Sequence, residues 1–404
     1  MKATLMVGDC RVRLAELADA SIDAVVSDPP YGLSFMGRAW DYDVPSVDIW
    51  REVCRVLKPG GHLVAFFGSR TYHRGTVAIE DAGFEIRDQL MWLYGSGFPK
   101  SMDVSKAIDK AAGAEREVIG QYTVGGTAAK GKHKGRAAAI VDEGSAVGCT
   151  QILNITAPAT DAARQWQGWG TALKPAHEPI CLARKPFSGT VAANVLEHGT
   201  GAINVDACRV ALTGDDTPRA GNTERSDSIG YGAATWQKSG TTPPAGRWPA
   251  NILHDGSDEV VERFPMSTSG ARAAGVYGIA AGGDQYGRFG CGPMPAIEGS
   301  EGSAARFFYT PKADAEDRND GLPPKLRNRH PTVKPVDLMR WLVRLITPPG
   351  GTVLDPFMGS GSTGKACALE GRDFVGVELD ADHVRVAEAR IAHAGGLFGS
   401  VVVR

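Results

Sequence analysis

Hydrophobic and polar positions along the 404-residue chain form two periodic regions separated by a long stretch in which neither the helical nor the strand period is strong. Near the N-terminus, Ile22-Asp23-Ala24-Val25-Val26-Ser27 is a short apolar run closed by Asp28-Pro29-Pro30. That pattern predicts a buried strand ending in a rigid turn. Apolar side chains at Val47, Ile49, Trp50, Val53, Val56 and Leu57 recur at helical spacing, and Lys58-Pro59-Gly60-Gly61 stops the helix. Residues 62–67 then predict a strand, 72–82 a helix and 84–93 another strand. The alternation returns near the C-terminus. Residues 335–346 predict a helix with Pro335 in its first turn, 352–354 a strand, 362–370 a helix, 374–377 a strand and 381–392 a helix. Alternating strands and helices argue for a parallel α/β sheet.

The middle holds most of the glycine, in stretches such as Gly125-Gly126-Thr127-Ala128-Ala129 and Ala280-Ala281-Gly282-Gly283-Asp284. A structureless loop of that length is uncommon in a compact domain, so a separate, irregular lobe is expected. The predicted organisation is therefore α/β segments at 1–115 and 326–404 flanking an insert at 116–325, with one sheet assembled from both chain ends.

Composition narrows the chemistry. The chain carries 44 basic and 46 acidic residues, net −2, which excludes a protein held to nucleic acid by net charge alone. Hydrophobic residues make up 43%, enough for a real core. No apolar run approaches the roughly 18 residues of a membrane span, and Met1-Lys2-Ala3-Thr4 leads into Gly8-Asp9 without a signal-peptide core. The seven cysteines include no C-x-x-C pair, so neither a metal site nor a disulfide framework is expected. A cytoplasmic protein fits best.

Two motifs carry chemistry. Asp355-Pro356-Phe357-Met358-Gly359-Ser360-Gly361-Ser362-Thr363-Gly364 follows a strand and opens a helix. Its glycines permit a tight turn and close approach of a ligand, and the helix N-terminus presents free N–H groups. Read alone, Gly359-x-Gly361-x-x-Gly364 with Glu378 downstream also fits a dinucleotide fingerprint, so a nicotinamide dehydrogenase is one alternative. Ser27-Asp28-Pro29-Pro30-Tyr31-Gly32 closes a buried strand, where open α/β sheets place their ligands. The Asp28 carboxylate and the Pro29 carbonyl can each accept a hydrogen from an exocyclic amine. Pro29 and Pro30 stiffen both acceptors, and Tyr31 offers a face for base stacking. Drawing both hydrogens into acceptors localises the nitrogen lone pair and aims it at an electrophilic methyl. A plain strand-ending Asp-Pro turn is the alternative.

Together these motifs resemble an S-adenosylmethionine-dependent DNA amino-methyltransferase. Gly8-Asp9-Cys10 resembles the family's cofactor-adenine element, His330-Pro331-Thr332-Val333-Lys334-Pro335 the motif that closes over the methionine part, and Phe374-Val375-Gly376-Val377-Glu378-Leu379-Asp380 the strand whose acidic end holds the ribose. With the catalytic motif first and the cofactor loop last, the order is that of the permuted β group. The resemblance implies a Rossmann-like methyltransferase sheet with the insert as target-recognition lobe, and direct, non-covalent transfer to a flipped base. It implies catalytic Asp28, Pro29, Pro30 and Tyr31. The implied cofactor contacts are Asp9, Cys10, Asp28, His330, Thr332, Lys334, Asp355, Phe357, Gly359, Ser360, Gly361, Ser362, Thr363, Glu378 and Leu379. Asp rather than Ser at position 28 tilts the resemblance toward adenine N6, with cytosine N4 the nearest rival and a catalytically inactive DNA-binding relative a third reading. Covalent C5 chemistry would need a cysteine after proline, and the chain has no Pro-Cys pair.

Trp169–Pro179 and Gly246–Asn251 resemble inserts of phage and prophage members, which implies a bacterial or phage-infected cell and leaves a restriction partner open. A near-neutral chain must hold DNA by patches. Lys130, Lys132, Lys134 and Arg136, spaced by glycines and without an acid, form the clearest one. Lys325, Arg327, Arg329 and His330 form a second. Trp166, Trp169, Trp236 and Trp248 are expected mostly in a compact core of the insert. Oligomeric state is left open, a homodimer included.

Overall fold

The computed structural model describes residues 1–33, 41–95, 97, 101–124, 151–211, 246–269, 275–276, 293–294, 300–311 and 317–404. A nine-stranded sheet runs, edge to edge, through Ser400–Val403, Lys2–Val7, Asp373–Glu378, Thr352–Asp355, Ile22–Ser27, Leu57–Phe66, His177–Arg184, Glu85–Leu93 and Ile252–His254. Neighbours from the first of these to Leu57–Phe66 are parallel. His177–Arg184 joins Leu57–Phe66 antiparallel. Strands from the two ends of the chain interleave, as the periodicity implies.

Every residue of Ile22–Ser27 is buried, as expected of a parallel strand covered on both faces. Successive side chains feed opposite layers. Ala24 and Val26 join a core with Leu338, Leu342, Ala366 and Ile391, whereas Val25 joins one with Trp50, Val53 and Ile79. Helices Val336–Ile346, Ser362–Leu369 and Ala381–Gly395 therefore cover one face, and Val47–Val56 and Tyr72–Asp81 the other. The charged residue of the strand, Asp23, is paired where it lies: it accepts from Lys58 Nζ at 2.6 Å and from Thr352 N at 2.8 Å.

Several expectations change. The strand expected from His62 begins at Leu57, because Lys58-Pro59-Gly60-Gly61 is absorbed as an irregularity where pairing moves from Ile22↔Leu57 to Ala24↔His62. Two sheet strands, His177–Arg184 and Ile252–His254, come from residues expected to lie in the insert. The described chain forms two compact units, residues 1–93 with 178–404 and residues 94–177, and the expected 116–325 insert straddles them. The tryptophan core is corrected. Trp166, Trp169 and Trp248 are 41%, 60% and 58% exposed. The five-residue helix Asp161–Gln165 is too short to bury the first pair, which meet edge to face at 5.0 Å, and Trp248 lies under the Arg209 guanidinium. Trp236 lies outside the described residues. Among the described residues, no helix is long and apolar enough to cross a membrane.

Candidate functional site

The two chemistry-bearing motifs end neighbouring strands. Val353 pairs with Ala24 and Leu354 with Val25. One step further, Ser27 Oγ donates to Asp355 Oδ1 at 2.6 Å across 328 residues of sequence. Along the sheet, the chain proceeds from Thr352–Asp355 toward Asp373–Glu378 on one side and from Ile22–Ser27 toward Leu57–Phe66 on the other. Such a reversal opens a crevice beyond the carboxyl ends of the strands.

On the glycine-loop side, Asp355 is buried and accepts from Ser27, from Thr363 Oγ1 at 2.6 Å and from Phe357 N at 3.1 Å. Burial, opposed by those donors, pushes its carboxyl up to about 6. Gly359 has φ +53°, and a Cβ there would lie 2.9 Å from His330 Nε2. At Gly361, φ is +80° and a Cβ would lie 2.8 Å from that of Ala387. Glycine is thus required twice, by conformation and by space. Gly361 precedes helix Ser362–Leu369 without a side-chain cap, leaving first-turn N–H groups open to a ligand. Ser360, Ser362 and Thr363 are buried against protein partners. The Ser360 carbonyl accepts from the fully buried Arg390 at 2.7 Å, Ser362 Oγ lies 3.4 Å from the same guanidinium, and Thr363 is held by Asp355. Phe357 meets Trp50 edge-on at 6.3 Å.

Glu378, at the end of the next strand, accepts from Gly359 N at 2.8 Å and Asp380 N at 2.9 Å. Burial raises its carboxyl, but the donors His383, Asp380 and Gly359 hold it below the usual carboxylate range. Leu379 beside it is 67% exposed. Gly8 N donates to the Glu378 carbonyl at 2.9 Å, so the Gly8-Asp9-Cys10 turn sits at the adjoining strand end. There Asp9 caps helix Cys10–Arg13 and pairs with Arg11, while Cys10 is buried and its thiol pushed up to about 11. His330 packs edge-on to His383 at 4.8 Å, and its buried Nδ1 has no hydrogen-bond partner among the described residues. Burial, followed by the neighbouring His383, lowers its imidazole to about 4. Thr332 is exposed.

On the other side of the crevice, Pro29 is buried and Pro30 half-buried. Asp28 Oδ1 accepts from the Tyr31 hydroxyl at 2.8 Å and Oδ2 from Lys334 Nζ at 2.6 Å. Lys334 is buried and also reaches Tyr31 Oη at 3.1 Å and Glu178 Oε2 at 3.3 Å, above the Phe66 ring. Burial opposes its charge, yet Asp28 and Glu178 raise its pKa. The lysine expected beside the cofactor loop therefore stands on the Asp28 carboxylate. Asp41, also buried, accepts from the backbone N–H groups of Tyr31, Gly32 and Leu33 at 2.7, 3.0 and 3.2 Å and fixes the turn that follows the motif.

Residue-by-residue reading missed Glu178, Asp41 and Arg390. Glu178 falls inside the Trp169–Pro179 stretch, and no spacing ties it to Asp28. Of the basic patches, Lys130, Lys132, Lys134 and Arg136 lie outside the described residues, whereas Lys325, Arg327 and Arg329 are exposed. Among the described residues, no group of three or more His, Cys, Asp or Glu side chains is gathered as a metal site would need.

A profile described as DNA methylase matches residues 22–389. The Type II methyltransferase M.XycI of Xanthomonas campestris pv. cyanopsidis is 36% identical over 100 residues, 21% of this chain and 32% of that one. The chain thus spans about a third of the length of this curated relative. Among solved structures, the M1.HpyAVI–SAM complex aligns over 96% of this chain and 99% of its own at 14% identity with TM-score 0.40. The PvuII DNA methyltransferase (cytosine-N4-specific) aligns over 96% and 86% at 14% identity with TM-score 0.42.

Proposed function

From the premise that the chain belongs to the DNA methylase family, matched over residues 22–389, we propose that it methylates the exocyclic N6 of adenine in DNA with S-adenosylmethionine as donor. The observation that carries this reading is the Ser27–Asp355 hydrogen bond of 2.6 Å, which joins the amine-accepting motif to the glycine turn at adjacent strand ends. A dehydrogenase would use the glycine turn and assign no task to Asp28-Pro29-Pro30-Tyr31.

The residues present fit the cofactor. Gly359 and Gly361, both at positive φ and packed against His330 and Ala387, form a tight turn that opens helix Ser362–Leu369 without a side-chain cap, Glu378 offers carboxylate oxygens at the strand end, and exposed Leu379 offers an apolar surface beside it. When bound, S-adenosylmethionine supplies an electrophilic methyl. The protein's own task is to hold the amine. Asp28 and the Pro29 carbonyl accept its two hydrogens, and Tyr31 stacks against the base. Both acceptors are fixed before the base arrives, so little reorganisation is needed at the moment of transfer. A base stacked within a duplex cannot reach Asp28, so the target nucleotide leaves the stack.

The test is transfer from methyl-labelled cofactor to DNA, followed by digestion to nucleosides. N6-methyl-2′-deoxyadenosine is the expected labelled product. Label found only in N4-methylcytosine overturns the adenine assignment, and no label in DNA overturns methyl transfer itself.

A further inference from the structure

Lys334 has three ammonium protons and three oxygen neighbours: Asp28 Oδ2 at 2.6 Å, Tyr31 Oη at 3.1 Å and Glu178 Oε2 at 3.3 Å. The Tyr31 hydroxyl has one proton and two carboxylate oxygens within reach, Asp28 Oδ1 at 2.8 Å and Glu178 Oε2 at 3.1 Å. In donating to Asp28 it occupies a carboxylate needed by the incoming amine. Glu178 is delivered by strand polarity. His177–Arg184 runs antiparallel to Leu57–Phe66, so its first residues arrive where the parallel strands end, and the Phe67 N–H bond to the Pro179 carbonyl at 3.0 Å fixes that arrival.

We propose that Glu178 is a positioning residue for methyl transfer: it offers the Tyr31 hydroxyl a second acceptor, so that the hydroxyl can turn away from Asp28 Oδ1 when an amine hydrogen arrives there. This rests on the reading of the chain as an amino-methyltransferase. No proton changes owner. The phenol keeps its hydrogen and exchanges one carboxylate for another 0.3 Å more distant (3.1 against 2.8 Å). Burial first, then the charges of Asp28 and Glu178, raise the Tyr31 phenol well above its ordinary range, so it remains a donor at working pH. Lys334 stays bridged to both carboxylates throughout and keeps them apart from each other's charge.

The experiment is a double-mutant cycle on the full-length chain, reading the single-turnover rate at saturating cofactor and DNA beside cofactor affinity. Glu178→Gln keeps the side-chain volume and removes the charged acceptor, and Tyr31→Phe keeps the stacking ring and removes the hydroxyl. Glu178→Gln alone is expected to slow transfer roughly ten- to a hundredfold, the scale of one hydrogen bond to a charged group, with cofactor affinity changed less than about threefold. In the Tyr31→Phe background the same substitution is expected to slow transfer by less than about threefold, because no hydroxyl remains to redirect. An equal loss in both backgrounds, or a wild-type rate in Glu178→Gln, overturns the proposal. Should Glu178→Gln fail to fold, Glu178→Asp is read in the same two backgrounds with the same criterion. Absence of any transfer by the unmodified chain overturns instead the functional reading on which the proposal stands.

Discussion

Asp355 joins the two halves of the site, and its titration can be isolated. An ordinary aspartate titrates near 3.8, whereas burial moves Asp355 to about 6 against the opposing bonds from Ser27, Thr363 and Phe357 N. The folded chain therefore binds this proton more tightly than the unfolded chain. Its stabilising contribution is complete below pH 3.8 and is lost as pH rises through about 6. The amplitude is about 2 pKa units at about 1.4 kcal/mol each, on the order of 3 kcal/mol. Asp355→Asn has nearly the same shape and does not titrate. Its amide must turn an N–H₂ toward one of the two hydroxyls, and that hydroxyl rotates to accept, giving an offset independent of pH. The measurement is urea unfolding of both proteins without cofactor at pH 4, 5, 6 and 7. The stability of the wild type relative to Asp355→Asn should fall by roughly 2–3 kcal/mol across that range, other titrations cancelling in the difference. A flat difference, or one rising with pH, would refute the reasoning, because an Asp355 ionised as readily as in water cannot be desolvated at a hinge between the strands.

Asp28→Ala removes one preorganised acceptor and should slow single-turnover transfer at saturating cofactor roughly a hundred- to a thousandfold. An unaltered rate removes Asp28 from the mechanism. Gly359→Ala places a Cβ against His330 Nε2 in a left-handed conformation that costs roughly 1–2 kcal/mol. Cofactor affinity should weaken about tenfold or more, and wild-type affinity would show that the turn does not meet the ligand. Replacing Lys130, Lys132, Lys134 and Arg136 by alanine should lower the slope of log affinity for DNA against log salt by about 0.9 for each phosphate no longer neutralised. A slope equal to that of the wild type makes the segment a bystander.

How much of this was legible in the sequence depends on where each signal is stored. Ile22–Ser27 was readable as a strand because all six of its positions are buried, which leaves no polar face to blur the apolar run. Helix Val336–Ile346 was readable for a related reason: its buried side chains repeat at helical spacing and Pro335 marks its start. The Lys58–Gly61 segment misled, because a local stop signal of Pro and Gly was overridden by pairing on both flanks, with Ile22 and Ala24 on one side and Arg184 on the other. Ile252–His254 has only three residues, too few for any period to stand out. Its place beside Glu85–Leu93 is set by tertiary pairing alone. Trp166, Trp169 and Trp248 show the opposite failure, since a large apolar residue implies burial only on average.

The same distinction separates the parts of the site. Asp28-Pro29-Pro30-Tyr31 and Asp355–Gly364 could be read because each carries its chemistry in consecutive residues, and each closes a strand of a parallel set. Parallel strands deliver their carboxyl ends to one edge of the sheet, so two such motifs meet wherever their strands are neighbours, however distant they are in sequence. Glu178 obeys the inverse rule. Belonging to an antiparallel strand, it reaches that edge from the strand's beginning, where no strand-ending turn marks it. Its meaning lies in Tyr31 and Lys334, which are 147 and 156 residues away. Asp41 and Arg390 share this character: one accepts three backbone N–H groups of a turn, and the other supports the Ser360 carbonyl from a helix packed behind it. A one-dimensional pattern can announce groups that meet a substrate in a contiguous motif. It carries no mark for groups that act by orienting those residues, because the signal for them is a distance, and distance exists only once the sheet has been assembled from both ends of the chain.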